Sequence, residues 1–133
     1  MDNLELKKDI EGLVQMLEDR EEIKVIVKSV GNKININEYP YDFNSDFQID
    51  FRVKENEFRL ALLYLIKRNT GTGSKIIDWI LNYCRTKKID SLLIANISAE
   101  KKEMIKLCKK YNGSWENVCK CEGLTYRDYR IIL

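Results

Sequence analysis

The stretch LALLYLIKRNTGTGSKIIDWILNYC, residues 60–84, decides the fold of this chain. The apolar run from Leu60 to Ile66 suits a central strand that is covered on both faces. Gly71 and Gly73 follow it, and an amphipathic helical pattern begins at once. Glycine lets a backbone bend tightly and approach a ligand closely, and the amides of a helix N-terminus attract anions. The stretch therefore predicts a strand, a turn that suits a phosphate, and a helix. The competing interpretation is that the two glycines serve only the geometry of the turn.

Periodic patterns on either side extend this unit. The residues before it predict a helix over 3–19, a hairpin of strands 23–30 and 34–39, and a strand over 47–53. The residues after it predict a buried strand over 91–97 that runs parallel to the first, a helix capped by Ser98, and one or two antiparallel closing strands. The whole pattern indicates a mixed α+β fold, with a mostly antiparallel sheet, a central parallel β-α-β unit and helices on both faces.

Length and composition favour one globular domain over residues 1–133. Hydrophobic residues make up 44% of the chain and charged residues 33%, which is typical of a folded protein in water. The longest apolar run is far shorter than the roughly 20 residues that cross a bilayer. Because the opening segment MDNLELKKD has no apolar core of a signal peptide, we expect a cytoplasmic protein with no membrane partner.

Charge and residue usage limit the chemistry. The net charge is only +2, so nothing demands nucleic acid as a partner. The four cysteines form no C-x-x-C pair, so we expect reduced thiols and no metal site. The chain has no histidine, which removes Ser-His and Cys-His nucleophile pairs. Any catalysis must use carboxylates, tyrosine, cysteine, lysine or backbone groups.

Two common phosphate-binding patterns do not fit the glycine turn. A P-loop needs glycine at position 68 and Lys-Ser or Lys-Thr after Gly73, whereas the chain has Arg68 and then Ser74-Lys75. A dinucleotide motif needs a third glycine, where Ile76 stands. What remains is R-x-x-G-x-G from Arg68 to Gly73, placed between a buried strand and an amphipathic helix.

At these residues the chain resembles the GCN5-related N-acetyltransferase (GNAT) family, whose pyrophosphate loop has the form Q/R-x-x-G-x-G/A in the same setting. The resemblance runs from about residue 47 to the C-terminus and implies an acetyl-CoA cosubstrate and an amine acceptor. It also implies that the pantetheine arm lies along the strand ending at Ile66, with the region of Ser98 on its other side. Arg68 would shape the loop, and backbone amides would hold the pyrophosphate, namely those of Asn69, Thr70, Gly71, Thr72, Gly73 and Ser74.

The resemblance also implies catalytic roles that the residues fit incompletely. In the family a tyrosine near the end of the helix after the second parallel strand can protonate the departing thiolate, and Tyr111 stands near that place. A buried aromatic residue on the stripe of Met104, Leu107 and Cys108 is the competing interpretation of Tyr111. Glu57, before the central strand, is a candidate base, with Asp50 as a weaker one.

Three functions stay open at this level. The first is an N-acetyltransferase that transfers acetyl from acetyl-CoA to an amine of a small molecule or protein. The second is a CoA-binding module of the same fold without turnover, and the third is an unrelated α/β interaction domain. Helix one and the closing strand are candidate surfaces for a homodimer.

Overall fold

The computed structural model describes residues 3–40, 46–67 and 70–133, with side chains described from residue 6 onward. These residues form four helices and seven strands. Two helices and then four strands come first, and strands alternate with helices only from β4 to α4. The elements are α1 (Asn3–Asp9), α2 (Glu11–Glu21), β1 (Lys24–Val30), β2 (Lys33–Tyr39), β3 (Gln48–Lys54), β4 (Glu57–Tyr64), α3 (Thr72–Lys87), β5 (Ser91–Ser98), α4 (Lys102–Cys108), β6 (Ser114–Cys121) and β7 (Leu124–Ile132).

The first predicted helix is present but bent. Leu6, Ile10, Leu13 and Leu17 are all buried, as their helical spacing predicts. The helix divides at Ile10, where ψ is 1°, because this residue leaves the helical region of backbone space. Backbone hydrogen bonds still join Ile10 N–H to the Leu6 carbonyl and Val14 N–H to the Ile10 carbonyl. The second half continues to Glu21, two residues beyond the predicted end at residue 19.

The strands form one sheet in the order β1-β2-β3-β4-β5-β7-β6. The pair β4 and β5 is parallel, and the other neighbouring pairs are antiparallel. This confirms the mixed, mostly antiparallel sheet with a parallel unit around α3. β4 begins at Glu57, in register with Ser91, and ends at Tyr64, so the predicted strand from Leu60 to Ile66 is displaced toward the N-terminus.

The core lies on one face of the sheet. Phe58 of β4 makes an edge contact with Tyr83 of α3, with ring centroids 6.1 Å apart. Tyr129 of β7 lies on that same face, and its hydroxyl donates a 2.6 Å hydrogen bond to the backbone carbonyl of Tyr111, just after α4. The sequence pattern predicts helices on both faces of the sheet. These contacts place α3 and the end of α4 on the same face of the sheet.

The opposite face of β2, β3 and β4 is polar. In β3, buried and half-buried residues alternate, so that Ile49, Phe51 and Val53 face the core while Asp50 and Arg52 face away from it. None of the helices in the described ranges is long and apolar enough to cross a membrane.

Candidate functional site

The two parallel strands separate halfway along their length. β4 pairs with β5 only from Glu57 opposite Ser91 to Leu60 opposite Ile94. Beyond that point β5 keeps its pairing with β7 up to Ser98 opposite Tyr126, and β4 has no partner on this side among the described strands. The separation opens a cleft of about 690 Å³ between the C-terminal halves of β4 and β5.

Irregular pairing on both strands accompanies the separation. Between β3 and β4 the register runs from Phe51 opposite Leu60 to Asp50 opposite Leu62, which leaves Ala61 as the extra residue of a bulge. In β5 the register with β7 shifts between Ile94 and Ile97. Asn96 lies in this shift with φ of 55°, and its N–H donates a 2.8 Å hydrogen bond to Asp128 Oδ1. Because bulges bend strands and increase their twist, these two irregularities help to hold the cleft open.

Gly71 begins helix α3 in the left-handed region, with φ of 84°. Glycine adopts this conformation without the steric cost that a Cβ atom brings. The first helical hydrogen bond runs from Lys75 N–H to the Gly71 carbonyl at 3.1 Å, so the amides of Thr72, Gly73 and Ser74 lie ahead of the helical ladder. The first turn contains no acidic side chain. The arrangement presents the positive end of a helix, with free amides, after the end of β4.

Gly73 has a packing role as well. A Cβ atom at this position would lie 3.1 Å from Leu107 Cδ2 of α4, tighter than most contacts in proteins. Ser74, next to it, accepts hydrogen bonds on its Oγ from Lys110 Nζ at 3.3 Å and on its carbonyl from the Tyr111 hydroxyl at 3.1 Å. The start of α3 is therefore packed against the end of α4, and substitution of Gly73 would disturb that packing.

Arg20, near the end of α2, donates hydrogen bonds to the glycine turn that precedes α3. Its Nε donates to Thr72 Oγ1 at 2.9 Å, and its Nη2 donates to the Thr70 carbonyl at 2.6 Å. Thr72 is buried, and the hydroxyls of Thr70 and Thr72 are 3.1 Å apart. Arg20 could not be predicted from the sequence, because no local pattern relates residues separated by about 50 positions.

Glu21, next to Arg20, binds the backbone just after β4. Its side chain is buried, and its Oε2 accepts a 2.8 Å hydrogen bond from the Lys67 backbone N–H. Ile66, predicted to contact the pantetheine arm, lies just past the end of β4 with an exposed side chain. The predicted loop residues Arg68 and Asn69 lie outside the described residues.

Ser98 lines the cleft, but it does not cap a helix. It is the last residue of β5, and α4 begins only at Lys102, without a side-chain cap. The Ser98 Oγ instead accepts a 3.3 Å hydrogen bond from Glu100 N–H, a local turn that competes with helix initiation. The predicted cap was wrong because pairing with Tyr126 extends the strand by one residue.

Tyr111 lies beyond the end of α4, and it is not among the residues that line the cleft. Its hydroxyl is 2.8 Å from Asp78 Oδ1 and 3.1 Å from the Ser74 carbonyl, so it donates to α3. Burial, followed by the hydrogen bond to Asp78, raises the pKa of Tyr111 to about 12. A phenol that holds its proton this firmly is a poor donor to a thiolate whose conjugate thiol has a pKa of about 8.5.

Glu57 lies at the opposite end of β4 from the cleft. Its Oε1 is 3.0 Å from Arg130 Nη2, and Arg130 also pairs with Glu116 at 2.9 Å. The predicted base is therefore held in an ion pair at the start of the strand, and it does not line the cleft.

Five polar residues besides Ser98 line the cleft, namely Tyr64, Asn96, Glu100, Lys101 and Tyr126. Tyr126 reaches it from β7, and Tyr64 and Lys101 reach it from its two sides. Lys101 Nζ lies 4.0 Å from the centroid of the Tyr64 ring, a cation–π contact that joins the end of β4 to the segment after β5. The sequence placed Tyr126 only in a closing strand, and its position opposite Ser98 depends on the pairing of β5 with β7.

The fold can be compared with solved structures. No protein-family model matches this sequence, and neither does any curated protein. The ribosomal-protein-S18-alanine N-acetyltransferase from Escherichia coli superposes with a TM-score of 0.59 at 8% identity, over 92% of this chain and 88% of that one. A GNAT family acetyltransferase from Elizabethkingia anophelis, with acetyl-CoA bound, gives 0.56 at 9% identity over 92% and 83%.

An N-acetyltransferase from Staphylococcus aureus Mu50 gives a TM-score of 0.56 at 13% identity, over 77% of this chain and 69% of that one. At identities this low, the likeness concerns the path of the backbone. The chain therefore has the fold of the GNAT acetyltransferases.

Proposed function

We propose that this protein is an acetyl-CoA-dependent N-acetyltransferase that transfers acetyl to an amine. The observation that carries the proposal is the cleft between the C-terminal halves of β4 and β5, in a chain whose next helix, α3, begins at a glycine turn. A strand that has lost its neighbour offers backbone groups to an extended ligand, and a helix N-terminus offers amides to a phosphate. Acetyl-CoA has both features in one molecule, namely an extended arm and a pyrophosphate.

The proposed arrangement assigns positions to the pantetheine arm and the pyrophosphate of acetyl-CoA. The pantetheine arm lies along residues 61–64 of β4, opposite Ser98. The pyrophosphate meets the amides of Thr72, Gly73 and Ser74, to which the resemblance adds Arg68, Asn69, Thr70 and Gly71. Lys75, exposed in the first turn of α3, supplies an additional positive charge.

The chemistry needs little beyond alignment. The neutral amine nitrogen attacks the thioester carbonyl carbon and gives a proton to a carboxylate or water, the carbon–sulfur bond breaks, and the electron pair leaves on sulfur. The thiolate then takes a proton, for which Tyr126 is our candidate donor because its side chain lines the cleft. Backbone amides beside the Ala61 bulge are candidates to stabilise the oxyanion. No histidine is required.

One observation favours a second candidate function, a CoA-binding module without turnover. The Tyr111 hydroxyl, predicted as the acid, is bound to α3. If Tyr126 does not replace it, CoA would bind without rapid transfer. Product formation with amine acceptors separates the two functions, whereas binding alone does not.

The proposal is tested by calorimetric titration of the full chain with acetyl-CoA and with CoA. We expect micromolar binding that Lys75→Glu weakens at least tenfold, because the substitution reverses a charge beside the pyrophosphate. An acidic side chain in the first turn of a helix is favourable, so this variant should remain folded. Lys54→Glu, an equally exposed reversal at the end of β3, is the matched control and should bind like the unchanged protein.

Absence of acetyl-CoA binding to the folded protein would refute the proposal. Equal weakening by Lys75→Glu and Lys54→Glu would refute the phosphate position. Acetylated product should be followed by mass spectrometry, because the exposed Cys119 and Cys121 would react with reagents that detect the released thiol.

A further inference from the structure

A second cavity, of about 520 Å³, lies on the polar face of strands β1 to β4. It is separate from the helices, and the proposed cofactor site does not use it. Side chains from four strands line it, and Ala61 lines both this cavity and the cleft. The two spaces therefore adjoin at the bulge of β4, where an acetyl group on the pantetheine arm would lie.

The charges around the cavity are unbalanced. Four cationic side chains line it, and Asp50 is the one acid among its lining residues. Within the described part of the chain, the Arg52 guanidinium makes no hydrogen bond or ion pair, while the Arg52 backbone is paired in the sheet. Arg59 approaches Glu57 only at 4.0 Å, and its buried Nε has no hydrogen-bond partner there. A buried donor without a partner carries a free-energy cost that a bound anion would remove.

Asp50 is held in a fixed position by amide side chains. Its Oδ1 accepts a hydrogen bond from Asn35 Nδ2, and its Oδ2 accepts one from Gln48 Nε2 at 3.3 Å. Asn37 Nδ2 in turn donates to Asn35 Oδ1. In the register of β3 and β4, Asp50 lies opposite Leu62, beside the bulge. A carboxylate oriented in this way can accept hydrogen bonds from an ammonium group next to the reacting carbonyl.

The arginine pair, Arg52 and Arg59, lies at a defined distance from Asp50 and the Ala61 bulge. Arg59 precedes Ala61 by two residues on β4, which corresponds to about 7 Å along a strand. Arg52 is directly opposite Arg59 on β3. A ligand with an amine near Asp50 and Ala61 would therefore present any anionic group about 7 Å away to these two guanidiniums.

We propose that this cavity is the acceptor pocket, and that the acceptor is a small molecule with a primary amine and a carboxylate or phosphate at its other end. The proposal rests on the acetyltransferase function proposed above. Arg52 and Arg59 bind the anionic group, and Asp50 binds the amine end. The ammonium first gives one proton to water, the neutral amine then attacks the carbonyl carbon, and Asp50 takes the proton that nitrogen loses as the nitrogen–carbon bond forms. Sulfur leaves toward the cleft on the other side of Ala61.

The test compares acceptors that differ only at the far end. Transfer from acetyl-CoA to 5-aminopentanoate, to 4-aminobutyl phosphate and to pentylamine is measured by mass spectrometry on the full chain. We expect kcat/KM for at least one anionic acceptor to exceed that for pentylamine at least tenfold, and the better anion distinguishes carboxylate from phosphate. Arg52→Gln should remove this preference by lowering kcat/KM for the anionic acceptor to within about twofold of that for pentylamine measured with the same variant.

Two further variants serve as controls. Arg52→Lys keeps the charge and should retain part of the preference, whereas Arg85→Gln, an exposed arginine of α3, should change nothing. If acetyl-CoA binds but all three acceptors react equally, the proposed acceptor pocket is wrong and the proposed cofactor site is unaffected. The same conclusion follows if acetyl-CoA binds and no acceptor reacts. If acetyl-CoA does not bind, the proposed function itself fails.

Discussion

The backbone at Gly71 sets the geometry of the glycine turn. Its φ of 84° is one that residues with a Cβ atom rarely adopt, and the nearest atom to a Cβ there would be Arg20 Nη2 at 3.7 Å, an ordinary contact. The cost of Gly71→Ala is therefore conformational and not steric. We expect it to lower the free energy of unfolding by about 1–2 kcal/mol in a urea titration.

Gly12 provides the matched control for this prediction. It lies in α2, and a Cβ atom added there would have no neighbour within 4 Å. Gly12→Ala should raise the free energy of unfolding by about 0.5–1 kcal/mol, because alanine loses less backbone entropy in a helix. Similar losses from both substitutions would contradict a special role for the backbone at Gly71.

The two tyrosines near the site should respond differently to loss of the hydroxyl. Tyr126→Phe removes the candidate proton donor and should lower kcat about 10²-fold or more without changing stability. Tyr111→Phe removes the hydrogen bond to α3 and should lower the free energy of unfolding by about 0.5–1.5 kcal/mol, with kcat nearly unchanged. A large loss of kcat in Tyr111→Phe at unchanged stability would restore Tyr111 as the acid.

At the scale of elements, α2 supports the start of α3 through Arg20. Its guanidinium donates to Thr72 and Thr70 together, and a single ammonium cannot reproduce this planar pair of donors. Arg20→Lys should therefore speed amide hydrogen exchange at Thr72, Gly73 and Ser74 and weaken acetyl-CoA binding. Arg85→Lys, at the other end of α3, is the control. Unchanged exchange in Arg20→Lys would show that the turn is stable without α2.

At the scale of the whole molecule, two buried thiols couple stability to alkaline pH. Burial raises the pKa of Cys84 and of Cys108 from the ordinary 9.0 to about 12. The unfolded chain therefore releases these protons first, so the stabilisation is complete below pH 9 and is lost between pH 9 and 12. Each thiol contributes a slope of up to about 1.4 kcal/mol per pH unit.

The measurement is the free energy of unfolding in urea at several pH values above 8. Stability should fall as the pH rises, and Cys108→Ala should make the fall less steep, because it removes one of the two buried thiols. Cys119→Ala should leave the slope unchanged, since that thiol is exposed on β6. A slope that Cys108→Ala does not reduce would assign the alkaline loss to other groups.

The sequence by itself determined the features that depend on neighbouring residues. Helical and strand periodicity located the elements, and the run from Leu60 to Gly73 placed a glycine turn between an apolar strand and a helix. Those features are local, because backbone preference and the facing of side chains depend on residues within a few positions. The buried stripe of Leu6, Ile10, Leu13 and Leu17 was predictable for the same reason. The expected cover on both faces of the apolar strand was wrong, because none of residues 61–66 is buried where β4 separates from β5.

Only the tertiary structure decided which distant side chains meet. Arg20 reaches a turn about 50 residues away, Tyr126 enters the cleft through the pairing of β5 with β7, and Arg52 lies opposite Arg59 across β3 and β4. These contacts depend on register and on bulges, and a shift of one residue would turn each strand's side chains to the other face. That is why the sequence alone predicted the glycine turn before α3 but not the polar cavity on the face of β1 to β4.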